Sequence, residues 1–256
     1  MYALITGASK GIGKEIAIEL AKKKYDLILI ARSASQLENT AKEIKEKHAV
    51  QVDFLAMDLS APDAAREVFS WVERKNYQVA VLVNNAGYGA AGDFEKFTIE
   101  QNRAMMNLNM VTLTEMCQVF LPMLKRHSQA YILNIASSTA YQALPQMAIY
   151  AATKIFVLNF SRALKYELKD SPVSVTCVSP GATDTNFNDR ADIPAKARKA
   201  AEKVVMTPQD VAKISVDGMF SGKTEVIPGF INKLGAFLAW IAPKAITEKV
   251  AAGIYE

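Results

Sequence analysis

The sequence predicts a doubly wound α/β fold, a central sheet of about seven parallel strands flanked by helices on both faces. Three observations carry the prediction. Short apolar runs alternate with longer helical patterns along most of the 256 residues. Several runs are apolar throughout instead of alternating in polarity, as strands buried on both faces require. The first run also feeds a glycine-rich turn that opens directly into a helical pattern. Half of the residues are hydrophobic and no composition break divides the chain, so one domain over 1–256 is expected.

The elements follow in order. Tyr2–Thr6 is a short aliphatic strand, and the glycine turn after it leads into a helix over Gly11–Lys24. Asp26–Ala31 is the second apolar run, followed by a helical pattern over Ser35–Lys47. Gln51–Ala56 and Val79–Asn84 are the next strands, with a helix over Ala61–Lys75 between them. A long helical pattern runs from Ile99 to His127, then a strand over Ala130–Ala136, a second long helix over Gln146–Lys169 and a strand over Val173–Val178. Gly181 to Met206 is polar, with a weak helical pattern near Ala195–Val204. It reads as a mobile insertion (181–206), because strand and helix signals resume after it. A short last strand falls near Glu225–Ile227, and 227–256 reads as a C-terminal helical extension.

Several function classes are disfavoured. The net charge of +4 is mild and not gathered into a basic tail, which argues against a nucleic-acid surface. Cys117 and Cys177 sit in apolar stretches without metal-ligand spacing, so buried reduced thiols and no metal site are expected. The start of the chain enters a strand with no leader-like segment, which reads as cytoplasmic. Gly229 to Pro243 is too short to span a bilayer and is interrupted by Asn232 and Lys233. A core-packing or partner-facing helix is its first reading; Phe230, Phe237 and Trp240 are the residues that would meet a membrane surface in the other.

The chemistry concentrates in two places. Thr6-Gly7-Ala8-Ser9-Lys10-Gly11-Ile12-Gly13 places glycines where the backbone must turn sharply and approach a diphosphate, whose charge meets free N–H groups and a helix dipole. The spacing is G-x-x-x-G-x-G, not the commoner G-x-G-x-x-G. Arg32 stands nineteen residues after Gly13, followed by Ser33 and with no acid beside it. A cation at that point favours a 2′-phosphate, and Lys10 adds a second, so the cofactor expected is NADP(H). The second place is Tyr150-Ala-Ala-Thr-Lys154, with Ser137 thirteen residues before the tyrosine. On a helix, the i, i+4 spacing brings phenol and ammonium to one face. A tyrosine holds its proton to about pH 10, and a nearby cation lowers that value toward a usable proton donor.

With these pieces in place the chain resembles the short-chain dehydrogenase/reductase family over nearly its whole length. The glycine loop is similar to the family's T-G-x-x-x-G-I-G, and Asp58-Leu59 resembles the pair that contacts the adenine. Asn84-Asn85-Ala86-Gly87 matches its N-N-A-G, Asn109 its catalytic asparagine, and Ser137, Tyr150 and Lys154 complete the tetrad. Pro180-Gly181 with Thr183 and Thr185 resembles the loop that holds the nicotinamide. Ala136 and Ala140 depart from the family's usual serine and glycine around the active-site loop.

The resemblance implies a Rossmann-type fold and an NADPH-dependent carbonyl reductase or alcohol dehydrogenase. Tyr150 would be the general acid and Ser137 would hold the substrate oxygen. Lys154 would lower the tyrosine pKa and meet the nicotinamide ribose, and Asn109 would support a proton-relay water. It also implies a homodimer or homotetramer built on the two long helices. Substrate contacts are expected from Tyr88, Phe94, Tyr141, Leu144, Met147 and Phe187, with Ser137. All six are apolar or aromatic, which favours an apolar ketone, an aldehyde or a 3-oxoacyl-type substrate. A cofactor-binding regulator that senses NADPH without turnover is the competing reading, and an intact Ser137, Tyr150 and Lys154 argues against it.

Overall fold

The computed structural model describes residues 1–185, 187 and 191–255. Residues 186 and 188–190 of the expected insertion, and residue 256 of the extension, lie outside them. Seven strands form one sheet: β1 (Tyr2–Thr6), β2 (Asp26–Ala31), β3 (Val52–Ala56), β4 (Val79–Asn84), β5 (Ala130–Ile135), β6 (Val173–Val178) and β7 (Glu225–Val226). Their order is β3-β2-β1-β4-β5-β6-β7, and every neighbouring pair is parallel. The order reverses between β1 and β4, so the connections leaving those two strands diverge and open a crevice at the carboxyl edge.

The helices are α1 (Gly11–Lys22), α2 (Ala34–Lys47), α3 (Ala64–Arg74), α4 (Ile99–Met106), α5 (Leu113–Leu124), α6 (Ala148–Glu167), α7 (Ala195–Ala201), α8 (Pro208–Phe220), α9 (Phe230–Ile241) and α10 (Lys244–Tyr255). Strand side chains alternate between two cores. Leu4, Ile28, Ile30 and Leu82 pack with Val68, Phe120 and Val157 of α3, α5 and α6. Ala3, Ile5, Leu27, Leu29, Val81 and Val83 pack on the opposite face with Ile16, Leu37 and Val216 of α1, α2 and α8. Both faces are therefore covered, which is why these strands are apolar throughout. Phe120 is fully buried and meets Phe69 edge-on at 5.1 Å, so its truncation would cost about 3–5 kcal/mol.

The long helix expected over Ile99–His127 is in three parts. Between α4 and α5, residues Asn107–Thr112 form a π-helical turn. The extra residue per turn rotates Asn109 inward, a placement that a 3.6-residue period does not foresee. α8 was not among the expected helices. Thr207 opens it by accepting from the Asp210 N–H at 3.1 Å, with Pro208 at the first helical position. The ends of the 181–206 insertion are tied together, with Asp184 N–H donating to Met206 O at 2.9 Å and Met206 N–H to Ala182 O at 3.0 Å. No helix among the described residues is long and apolar enough to cross a membrane.

Candidate active site

A cleft of about 690 Å³ lies over the β1/β4 divide, lined from the carboxyl ends of β1 through β6. Gly7 and Gly11 turn the chain after β1 at positive φ, +66° and +59°. Asn85 braces this loop from β4, its Nδ2 donating to Thr6 O at 3.0 Å and Gly7 O at 3.2 Å. Thr6 answers with its hydroxyl, which accepts the N–H groups of Asn85 and Ala86 at 2.9 and 3.0 Å. Gly13 does not line the cleft. It is buried, and a Cβ there would run into Asn85 Nδ2 and Gly7 O, so its lack of a side chain permits this close packing.

α1 begins with no side-chain cap and no acid in its first turn, leaving its first N–H groups to an anion. α2, by contrast, is capped by its own Ser33, whose hydroxyl accepts from Gln36 N–H at 3.4 Å. Ser9, Lys10, Gly11 and Ile12 line the phosphate end; Arg32 and Ser33 line the end of β2; Asp58 and Leu59 line the end of β3. Asn85, Ala86 and Gly87 form the floor, and Pro180, Gly181, Thr183 and Thr185 the far wall. The residues present fit NAD(P), with Lys10 and Arg32 as the cations beside the adenosine end.

Ser137, Tyr150 and Lys154 converge in the same cleft, exposed by 8%, 7% and 5%. β5 ends at Ile135 and delivers Ser137 beside the first turn of α6, which carries the other two. Lys154 Nζ donates to Ile135 O at 2.9 Å and sits 5.7 Å from the Tyr150 ring centre. Burial pulls the Lys154 ammonium down from 10.5 to about 8; the proximity of Cys177 opposes this more weakly. It is therefore still mostly charged at neutral pH. Gly87 makes room for it: a Cβ there would lie 3.4 Å from Lys154 Nζ and 3.0 Å from Asn109 Oδ1.

Asn109 is 1% exposed and lies behind the lining. Its Nδ2 donates to Tyr88 O at 2.9 Å and Thr153 Oγ1 at 3.0 Å, and its Oδ1 accepts from Tyr88 N–H at 3.1 Å. Thr153 in turn donates to Tyr150 O at 2.7 Å. The π turn thus clamps the N-N-A-G loop to α6 at the level of the tyrosine. One Oδ1 lone pair is left for a water. Asn84, on the same loop, points away and donates to Asn134 Oδ1 at 2.9 Å, tying β4 to β5.

The expected substrate contacts divide. Tyr88, Met147 and Phe187 line the cleft, and the Phe187 ring lies 5.4 Å from that of Tyr150. Phe94, Tyr141 and Leu144 do not line it. Phe94 is 69% exposed and borders a separate hollow of about 40 Å³. Tyr141 donates its hydroxyl to Glu225 on β7, whose other oxygen takes Arg162 Nη1 at 2.7 Å; burial, then this carboxylate, hold the phenol above its usual range. Leu144 packs into the cluster under Met147 and Tyr150. Sequence reasoning also missed Asn232 of α9 and Arg198 of α7, both in the lining. Arg198 Nε donates to Ile193 O at 2.8 Å, so the apolar wall does carry a cation. Cys117 and Cys177 are buried, unpaired and pushed up to about 12 by burial. Among the described residues no His, Cys, Asp and Glu cluster is placed to hold a metal.

Residues 1–196 match the family described as short chain dehydrogenase. Hydroxysteroid dehydrogenase-like protein 1 of Gallus gallus is 32% identical over 183 residues, covering 70% of this chain but only 54% of that protein. The chain thus spans about half the length of this relative. Very-long-chain 3-oxoacyl-CoA reductase-B of Danio rerio is 28% identical over 262 residues, covering 99% of this chain and 79% of that one. Among solved structures, a short-chain dehydrogenase from Sphingobium yanoikuyae in complex with NADPH superposes with a TM-score of 0.82 at 29% identity, over 95% of this chain and 97% of that one.

Proposed function

Because this chain belongs to the short-chain dehydrogenase family, we propose that it is an NADPH-dependent carbonyl reductase, and in reverse an alcohol dehydrogenase. Its substrate is an apolar ketone, an aldehyde or a 3-oxoacyl thioester. The observation that carries the reading is the convergence of Ser137, Tyr150 and Lys154 in one cleft with an uncapped helix N-terminus and two cations at its far end.

The nicotinamide, when bound, supplies the hydride that reduces the carbonyl carbon. Tyr150 gives its phenolic proton to the carbonyl oxygen. Ser137 donates a hydrogen bond to the same oxygen, stabilising the negative charge that gathers there. Lys154, charged and 5.7 Å from the tyrosine ring, favours the phenolate that remains. Asn109 fixes the loop and helix that set these distances, and its remaining lone pair suits a water returning a proton from solvent. Preference for NADP(H) is supported by Arg32 and Lys10 in the lining and by the NADPH held in the Sphingobium structure.

The substrate class follows the wall. Tyr88, Met147, Phe187 and Ile193 offer apolar contact, while Arg198 suits a substrate with an anionic group beyond its carbonyl. A 3-oxoacyl thioester on a phosphorylated carrier has both. The test is NADPH consumption across a panel of ketones, aldehydes and 3-oxoacyl thioesters. Turnover of members whose carbonyl lies in an apolar chain, thioesters included, is expected; tight NADPH binding without turnover of any member would favour a redox sensor instead.

A further inference from the structure

α9 is amphipathic in the reverse of the usual sense. Its inward face is built from small side chains: Asn232 lies against Gly181 at the cleft rim, and Ala236 and Ala239 are buried. Its outward face carries the large ones. Phe230, Leu234, Phe237, Leu238, Trp240 and Ile241 are exposed, from 45% at Leu234 to 79% at Phe230. A helix that served only to cover a core would point these residues inward, and a contiguous exposed apolar patch marks a surface that something else covers.

The charge carried by α9 and by α7 and α10 is mostly of one sign. α7, α9 and α10 carry Lys196, Arg198, Lys199, Lys233, Lys244 and Lys249 against the single acid Glu248. The chain as a whole is nearly balanced, 30 Lys and Arg to 26 Asp and Glu. α7 and α10 belong to one packed unit, with Ala197 and Ala251 buried in a common cluster. Lys196, Lys199, Lys233 and Lys249 are all solvent-exposed.

We propose that α9, with the cationic faces of α7 and α10, is a peripheral docking surface for a bilayer containing anionic phospholipid. Phe230, Phe237 and Trp240 enter the interface between headgroup and acyl chain, and the lysines meet headgroup phosphates. A second copy of the chain fits less well, because an isologous contact would bring like-charged helices of the two copies together. α9 is too short to span, so the contact is one of lying on the surface. It also places chemistry at the membrane: α9 packs on the turn Ser138–Tyr141 that follows Ser137, and its Asn232 lines the cleft. A lipid-like carbonyl would then reach the cleft from the bilayer side.

The test is flotation of the full chain with vesicles of phosphatidylcholine alone or mixed with phosphatidylglycerol. Trp71→Phe leaves Trp240 as the sole tryptophan and hence a reporter of its surroundings. Binding to the mixed vesicles with a blue shift of Trp240 emission is expected. Phe237→Ser/Trp240→Ser should lower the bound-to-free ratio by about tenfold or more. Lys199→Glu/Lys233→Glu/Lys249→Glu, which keeps the apolar face, should abolish the preference for anionic lipid. Three results would overturn the proposal: no flotation, flotation unchanged in both variants, or a stable oligomer that Phe237→Ser/Trp240→Ser dissociates while vesicles go unbound.

Discussion

Replacing Lys154 by methionine should raise the stability of the ligand-free protein while removing its turnover. The ammonium is 5% exposed, and burial pulls it from 10.5 to about 8. A gap of that size corresponds to roughly 3 kcal/mol of disfavoured charge in the folded state at neutral pH. The hydrogen bond to Ile135 O at 2.9 Å returns about 1.5 kcal/mol, which methionine forgoes. The net gain for Lys154→Met is then about 1–2 kcal/mol, since methionine keeps most of the volume. For a chain of this size that is a rise of roughly 2–8 °C in the melting midpoint.

The pH dependence gives the sign. Below about 8 the lysine is charged in both states and the penalty is complete; between about 8 and 10.5 the folded state sheds its proton first and the penalty fades. Thermal melting of both proteins from neutral pH to above 10 should show the methionine variant ahead at pH 7, the gap closing as pH rises and the order reversing once the fading penalty falls below the lost hydrogen bond. A variant less stable at pH 7, or a gap that does not change with pH, would refute the claim that this charge is held against its own solvation for function.

Three further outcomes follow. Carbonyl reduction should fall as pH rises through about 8, where Lys154 loses its charge, which a pH profile of kcat/KM reads directly. Arg32→Ala should erase a preference for NADPH over NADH, measured as the ratio of the two kcat/KM values, with little change in melting temperature because the side chain is exposed. Gly13→Ala should destabilise the protein by about 1–3 kcal/mol and weaken NADPH binding, since its methyl group collides with Asn85 Nδ2 and Gly7 O; calorimetry and fluorescence titration check the two effects.

Much of this was legible in the sequence because the physics is local. A strand buried on both faces is apolar along most of its length, so β1, β2 and β4 begin and end where the runs do. Gly7 and Gly11 mark turns because only glycine sits easily at their φ. The i, i+4 spacing of Tyr150 and Lys154 needed only a helix to become a shared face. What failed was non-local. The π turn around Asn109 is one residue of slippage, invisible to an apolar period. Tyr141 and Leu144 were placed in the pocket by nearness to Tyr150 in sequence, but the 3₁₀ turn aims Tyr141 at Glu225, 84 residues away. Asn232 and Arg198 reach the cleft from helices whose packing no local pattern fixes.

In the proposed reaction Tyr150 is the proton donor to the carbonyl. Tyr150→Phe deletes one oxygen and leaves the ring packed against Phe187. Its NADPH affinity and its turnover of the best substrate in the panel, measured side by side with the unmodified protein, decide the matter. Unchanged binding and a loss of kcat of about a hundredfold or more are expected; turnover equal to that of the unmodified protein would rule Tyr150 out as the donor.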